Sequence, residues 1–384
     1  MSDLQTAKDI LTRLVGFDTT SRDSNLELIE WVRAYLEPFA SQINILHNEE
    51  GNKANLWARI GPNVAGGIVL SGHSDVVPVD GQPWSTPPFE LTEKDGKLFG
   101  RGSCDMKGFL ALALAFAPEM AAADLKKPFY IAISYDEEIG CAGVLSMIDE
   151  LVSLESKPSI CWVGEPTLWG VVTGHKGICN HEVVVTGMEM HSSLPHLGAS
   201  AIHEALEIMG VLRDTAKWLK ETAPSESLFE PPHATLTIGV VEGGTAANII
   251  ARECRFLFDL RSPPGVDAAQ TLIPFYEKVE EVDARLKAFH PSCGVEVVKL
   301  SDAPPLGTEE DGPAELLARS LTGDNQTRLV GYCAEAGQFQ NAGLSTIVCG
   351  PGSIEQAHQP DEFVAVSELE TGIGIMKKML NTMV

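Results

Sequence analysis

The chain has 384 residues, 44% of them hydrophobic, and 28 Lys+Arg against 53 Asp+Glu give a formal charge of −25. So much apolar material supplies a packed core and excludes wholesale disorder, and the length fits two domains. The acidity argues against a nucleic-acid partner and weakly favours a cationic small substrate.

No apolar run reaches the roughly 18 residues that a membrane span needs. The longest, around Phe109–Ala117, runs into Pro118 and Glu119. The N-terminal MSDLQTAKDILTRLVGF lacks the charged-then-apolar layout of a secretion signal. Eight scattered cysteines without a CxxC pair are expected to be reduced thiols of a cytoplasmic protein.

In chain order, apolar spacing predicts helices over 3–15 and 24–37; in the second the buried stripe is Leu28, Ile29, Val32, Tyr35 and Leu36. Residues 54–60 and 67–72 are short apolar runs of the buried-strand kind. A helix over 106–122, the strand FYIAISYDEE, a helix over 140–154 and a strand over 159–164 follow. This alternation predicts a largely parallel sheet covered by helices.

The pattern changes near Gly177. HEVVVTG (181–187) alternates like a strand with one exposed face, followed by a helix over 199–220 and strands over 234–241 and 252–261. A helix over 267–288 and a strand over 294–300 complete a β-α-β-β-α-β order, the ferredoxin-like arrangement. Strand and helix alternation resumes after Pro304–Pro305 and ends in a helix over 366–382. The expected architecture is an α/β domain of residues 1–177 and 303–384, with a smaller α+β domain, 178–302, inserted in it.

Five segments concentrate ligand-type residues where strands end: GHSDVVPVD (72–80), GRGSCDMKG (100–108), YDEEIG (135–140), VGEPT (163–167) and GPGSIEQAHQPDE (350–362). Loops at the carboxyl ends of strands in α/β sheets converge on one crevice. His73 and Asp75 lie two apart in an extended segment and face the same way, so the Asp can accept the second ring N–H of a metal-bound His. Adjacent Glu137 and Glu138 point to different sides, so one can ligate metal while the other faces a water. If Asp105, Glu138 and Glu165 are carboxylate ligands beside neutral His73 and His358, two divalent ions and one hydroxide bring the site to neutrality. Imidazole with carboxylate suits zinc and tolerates cobalt. Each residue alone has an ordinary use, such as Asp105 as a helix N-cap; the five segments together do not. There is no GxSxG elbow or His-paired cysteine motif for a metal-independent hydrolase.

These segments, in this order, resemble the metal-dependent amidohydrolases of the M20 peptidase family, over nearly the whole chain. RGSCDMKGF, GEPT, MHSSLPHLGASAIHEA and CGPGSIEQAHQPDEFV are most similar to the branch that hydrolyses N2-acetyl-L-ornithine to L-ornithine and acetate in arginine biosynthesis. The resemblance implies a zinc-peptidase-like catalytic domain with an inserted lid and dimerisation domain, a homodimer, and an N-acyl amino acid substrate. His73 and Glu165 would hold one zinc, Glu138 and His358 the other, with Asp105 bridging and cobalt as a substitute. It implies a cis Asp105–Met106 peptide, Asp75 orienting His73, and a bridging hydroxide with Glu137 as general base. His191, with His196 as its nearby alternative, would donate to the oxyanion, while Asn248 and Arg261 grip the substrate. GYCAEAGQF (331–339) departs from the branch pattern at Cys333–Ala334, and Glu335 there is a candidate for reading a substrate ammonium. Sister deacylases acting on acetylcitrulline or succinyl-diaminopimelate share the same core; a non-catalytic relative would lack Glu137 or a ligand.

Overall fold

A computed structural model describes residues 2–384. The chain divides into two compact units: one runs up to His175 and adds Leu306–Leu329 and Ala334–Val384, the other is Lys176–Pro305 with Val330–Cys333. The short return of 330–333 to the second unit has no compositional signal and departs from the expected boundary, which leaves 303–384 whole in the first.

The first unit is built on an eight-stranded sheet with the order Gln42–His47, Ala54–Ile60, Phe129–Ser134, Ile68–His73, Ile160–Val163, Ser345–Val348, Val172–His175, Arg328–Val330. Its four central strands, from Phe129–Ser134 to Ser345–Val348, are mutually parallel. Antiparallel pairing joins Gln42–His47 to Ala54–Ile60, Ala54–Ile60 to Phe129–Ser134, and Val172–His175 to Ser345–Val348. The sheet is therefore mixed rather than largely parallel. Its parallel centre is where the unbroken apolar runs lie: every residue of Ile68–His73 and Phe129–Ser134 is buried, as a strand covered on both faces requires.

Helices cover the sheet for reasons visible in their spacing. Asp3–Val15 buries Ala7, Ile10, Leu11, Leu14 and Val15, one helical stripe, and Ser2 caps it by accepting from the Gln5 N–H. The helix expected over 106–122 is two, Lys107–Ala115 and Ala117–Ala122; Pro118 sits in the first turn of the second, where its missing N–H costs nothing. A small sheet that spacing did not signal pairs Thr92–Lys94 with Lys97–Phe99 and Lys97–Phe99 with Phe363–Ala365. Strands of three residues are too short to show a period.

The second unit runs strand, helix, two strands, helix, strand. Its four-stranded antiparallel sheet has the order Thr235–Gly243, Glu253–Ser262, Gly177–Thr186, Gly294–Ala303. Residues of Glu253–Ser262 alternate between buried and accessible, so one face makes a core. Ala201–Glu221 contributes Ala205, Ile208 and Leu212 to that core, and Ile273–Phe289 contributes Phe275, Val282 and Leu286. The helix expected over 267–288 is broken into Ala268–Thr271 and Ile273–Phe289, again beside a proline, Pro274. Among the described residues no disulfide joins any of the eight cysteines, and no helix is long and apolar enough to cross a membrane.

His181 lies inside this second core, its ring 4.9 Å from that of Phe258 and its Nε2 2.8 Å from Tyr276 Oη. Burial, with Lys299 nearby, pushes its pKa down to about 4, against about 6.5 in the unfolded chain. The unfolded state therefore binds the extra proton between these two values. Stability is complete above about pH 6.5 and falls as the pH drops towards about 4, by about 2–3 kcal/mol in all. Urea titrations at pH 7 and pH 5 should show the wild type losing more stability than His181→Phe; equal losses would remove His181 as the cause.

Candidate metal centre and active site

Three neighbouring parallel strands deliver acidic and imidazole groups at one end of the larger sheet. His73 ends the strand Ile68–His73, Glu165 follows Ile160–Val163, and Glu137 and Glu138 follow Phe129–Ser134. Asp105 immediately precedes Met106, the N-cap of Lys107–Ala115, and its carboxylate oxygens face His73 and His358. The Asp105–Met106 peptide is cis. His358 projects from the loop between Ser345–Val348 and Phe363–Ala365. That loop runs tightly against the Glu165 segment: a Cβ on Gly350 would lie 2.0 Å from the Gly164 carbonyl oxygen, so this approach requires glycine.

Two clusters result, sharing Asp105. In the first, His73 Nε2 lies 3.0 Å from Asp105 Oδ1 and 3.8 Å from Glu165 Oε1. In the second, His358 Nε2 lies 2.9 Å from Glu138 Oε2 and 3.4 Å from Asp105 Oδ2. In each trio one donor atom per residue falls within 4.8 Å of the others. The five residues that sequence reasoning named as ligands are thus brought together.

The electrostatics match a site built around cations. Burial and the neighbouring Asp105 carboxylate raise the pKa of Glu165 well above the usual range, and the same causes push Glu138 up to about 7. Burial opposes a charge on His73, but its contacts with Asp105 and Asp75 outweigh this and raise its pKa. Hydrogen bonds to Asp105 and Glu138 raise His358 to about 10. Left alone, the cluster thus attracts protons from both sides. Glu138 Oε1 and Glu165 Oε1 are buried with no hydrogen-bond partner, an arrangement that is costly unless something else satisfies them. Oxygen and imidazole donors in two trios around one shared carboxylate fit two divalent cations.

Asp75 meets His73 through both its main chain and its carboxylate. His73 Nδ1 is 2.8 Å from the Asp75 main-chain carbonyl and 3.6 Å from its carboxylate. The carboxylate also accepts from the Glu137 and Glu138 N–H groups, each at 3.2 Å, and from Ser21 Oγ at 2.8 Å. Two residues past the strand end, the main-chain oxygen reaches the ring first. Glu137 Oε1 accepts from the Cys141 thiol at 3.3 Å; burial and Glu138 raise the Glu137 pKa, against the opposing charge of His73. Neither Ser21 nor Cys141 was signalled by spacing, since both meet the site through the fold. Glu335 is buried beside the helix Ala336–Asn341.

In the second unit, His191 and Asn248 lie on adjoining segments: His191 bridges to Ile249, and Ser192 N donates to Asn248 O at 2.9 Å. His191 is exposed, with Nδ1 2.7 Å from Ser193 Oγ, and His196 is exposed too. Arg261 Nε contacts both Asp259 carboxylate oxygens, at 3.0 and 2.9 Å, two residues away on the same strand.

Comparison with known proteins agrees with this architecture. Residues 69–382 match the model of peptidase family M20/M25/M40. A protein named acetylornithine deacetylase from Proteus mirabilis is 35% identical over 368 residues, covering 94% of this chain and 91% of the relative. One of the same name from Myxococcus xanthus is 35% identical over 375 residues, covering 96% and 95%. The crystal structure of an M20 family metallo-carboxypeptidase from Sulfolobus solfataricus superposes with a TM-score of 0.77 at 17% identity, covering 97% and 98% of the two chains. With a family match across most of its length, the chain is a member of the M20 peptidase family.

Proposed function

We propose that this chain hydrolyses N2-acetyl-L-ornithine to L-ornithine and acetate with two zinc ions, cobalt serving as a substitute. The observation that carries the hydrolytic reading is the pair of ligand trios meeting at Asp105; the substrate rests on the relatives named acetylornithine deacetylase. His73 and Glu165 would hold one ion and Glu138 and His358 the other, with Asp105 between them. Bound there, two such ions polarise an acyl oxygen and lower the pKa of a water towards about 7.

The chain's own residues do the rest. Glu137 takes the proton of the attacking water and returns it to the leaving amine. Asp75 grips the adjacent Glu137 and Glu138 amides with one carboxylate, so base and ligand keep a fixed offset. His191 donates to the developing oxyanion, and Asn248 and Arg261 grip the substrate, Arg261 pairing with the α-carboxylate through its planar fork. The second unit serves as lid and dimerisation domain of a homodimer. A cytoplasmic setting accords with eight cysteines that form no disulfide.

The direct test is acetate release from N2-acetyl-L-ornithine by chelator-stripped protein, before and after two equivalents of zinc, with acetylcitrulline and succinyl-diaminopimelate in parallel. Stripping should abolish activity and lower the thermal midpoint, and zinc should restore both, with acetylornithine turned over fastest. A preference for another acyl substrate would discard the substrate and keep the chemistry. Glu137→Gln should retain both metals while kcat falls about 10²–10⁴-fold; loss of a metal instead would exchange its role with that of Glu138. His191→Ala should lower kcat about 10²–10³-fold, the usual effect of losing an oxyanion donor, and an unchanged kcat would take it out of the mechanism.

A further inference from the structure

The two ligand trios are supported by different means. His73 and Glu165 stand at the ends of paired sheet strands, with Ser71 opposite Val163 in register and Gly164 N donating to Ser71 O at 3.0 Å. Main-chain hydrogen bonds therefore fix their spacing. His358 stands in a loop, in a left-handed backbone conformation with φ 63°, and no sheet strand holds it.

What holds that loop is a buried ion pair. Arg101 and Glu362 are each 1% exposed. Glu362 Oε2 accepts from Arg101 Nη1 at 2.7 Å and from Gly102 N at 3.1 Å, while Oε1 accepts from Cys104 N at 2.9 Å and Asp105 N at 3.0 Å. One carboxylate thus gathers four donors from the segment that ends in Asp105. Arg101 also donates to Gln359 O at 3.4 Å and to Gln82 Oε1, and lies 5.0 Å over the Trp84 ring. Gln82 in turn donates to the His358 carbonyl at 3.0 Å. The pairing of Phe363 with Phe99 and the bond from Gly100 N to Glu362 O at 3.0 Å anchor the base of the network.

We infer that Arg101 and Glu362, with Gln82, are positioning residues for the second cation: they lock the Asp105 main chain to the His358 loop, so that Asp105, Glu138 and His358 keep a ligand geometry the sheet alone does not impose. This rests on the two-metal reading above. Removing the clamp weakens the second trio, which depends on it through two ligands, far more than the first, which shares only Asp105. Residues behind metal ligands typically contribute about 10–100-fold in affinity.

The test is calorimetric titration of zinc into chelator-stripped, full-length protein, with the visible absorption spectrum of the cobalt-loaded form as a second readout. The wild type should bind two ions. Glu362→Gln keeps the shape of the side chain but not its charge; it should bind the first ion as the wild type does and the second about 10–100-fold more weakly, with a changed spectrum for the second cobalt only. Gln82→Ala, at a partly exposed loop position, leaves the buried pair intact and should weaken the second ion alone, by a smaller factor. It decides the matter if Glu362→Gln does not fold. Equal weakening of both ions, or unaltered binding of both, would overturn the clamp. A wild type that binds fewer than two ions would bring down the two-metal reading itself, and the clamp with it.

Discussion

The first unit is organised around a repulsion. Asp105, Glu138 and Glu165 bring three carboxylates within a few ångströms, largely shielded from water, and Glu137 stands beside them. Buried charge of one sign is among the costliest arrangements a protein can hold unless it is compensated. The compensation available inside the chain is two imidazoles, one buried and one half-exposed at the rim. The strand order, the glycines that let the Gly350 loop approach Glu165 and the main-chain grip of Asp75 keep these groups close despite their repulsion.

The two units answer the problem of burying apolar surface in different ways. The first places its apolar runs in a parallel centre sealed on both faces; the second alternates, with two helices on one face of an antiparallel sheet. Both patterns tolerate wide substitution provided size and period persist. A fold can therefore be shared with a Sulfolobus solfataricus structure at only 17% identity.

That difference also explains what was legible in the sequence. Stripes such as Ala7, Ile10, Leu11, Leu14 declared their helices, and the five ligand segments declared themselves because imidazole and carboxylate groups crowd where strands end. The mixed character of the sheet was not legible: Ala54–Ile60 pairs antiparallel with Phe129–Ser134, yet each strand reads locally like its parallel neighbours. Arg101 and Glu362 lie inside quoted motifs, yet nothing in either motif says that the two side chains meet, since charged residues are by default exposed. The facing of His73 and Asp75 was legible from their spacing, whereas the main-chain carbonyl that also meets the ring was not.

One detail of strand order bears on how the molecule is made. The strand Ser345–Val348 fits between Ile160–Val163 and Val172–His175, although the whole of the second unit is encoded before it. During synthesis from the N-terminus, the second unit therefore emerges before the strand that fills that place in the sheet. Until Ser345–Val348 and the loop after it are made, the strand that leads to Glu165 has a free edge, and Gly164 lacks the Gly350 backbone that packs on it. The enclosure of Glu165 thus depends on a segment made only after the whole of the second unit.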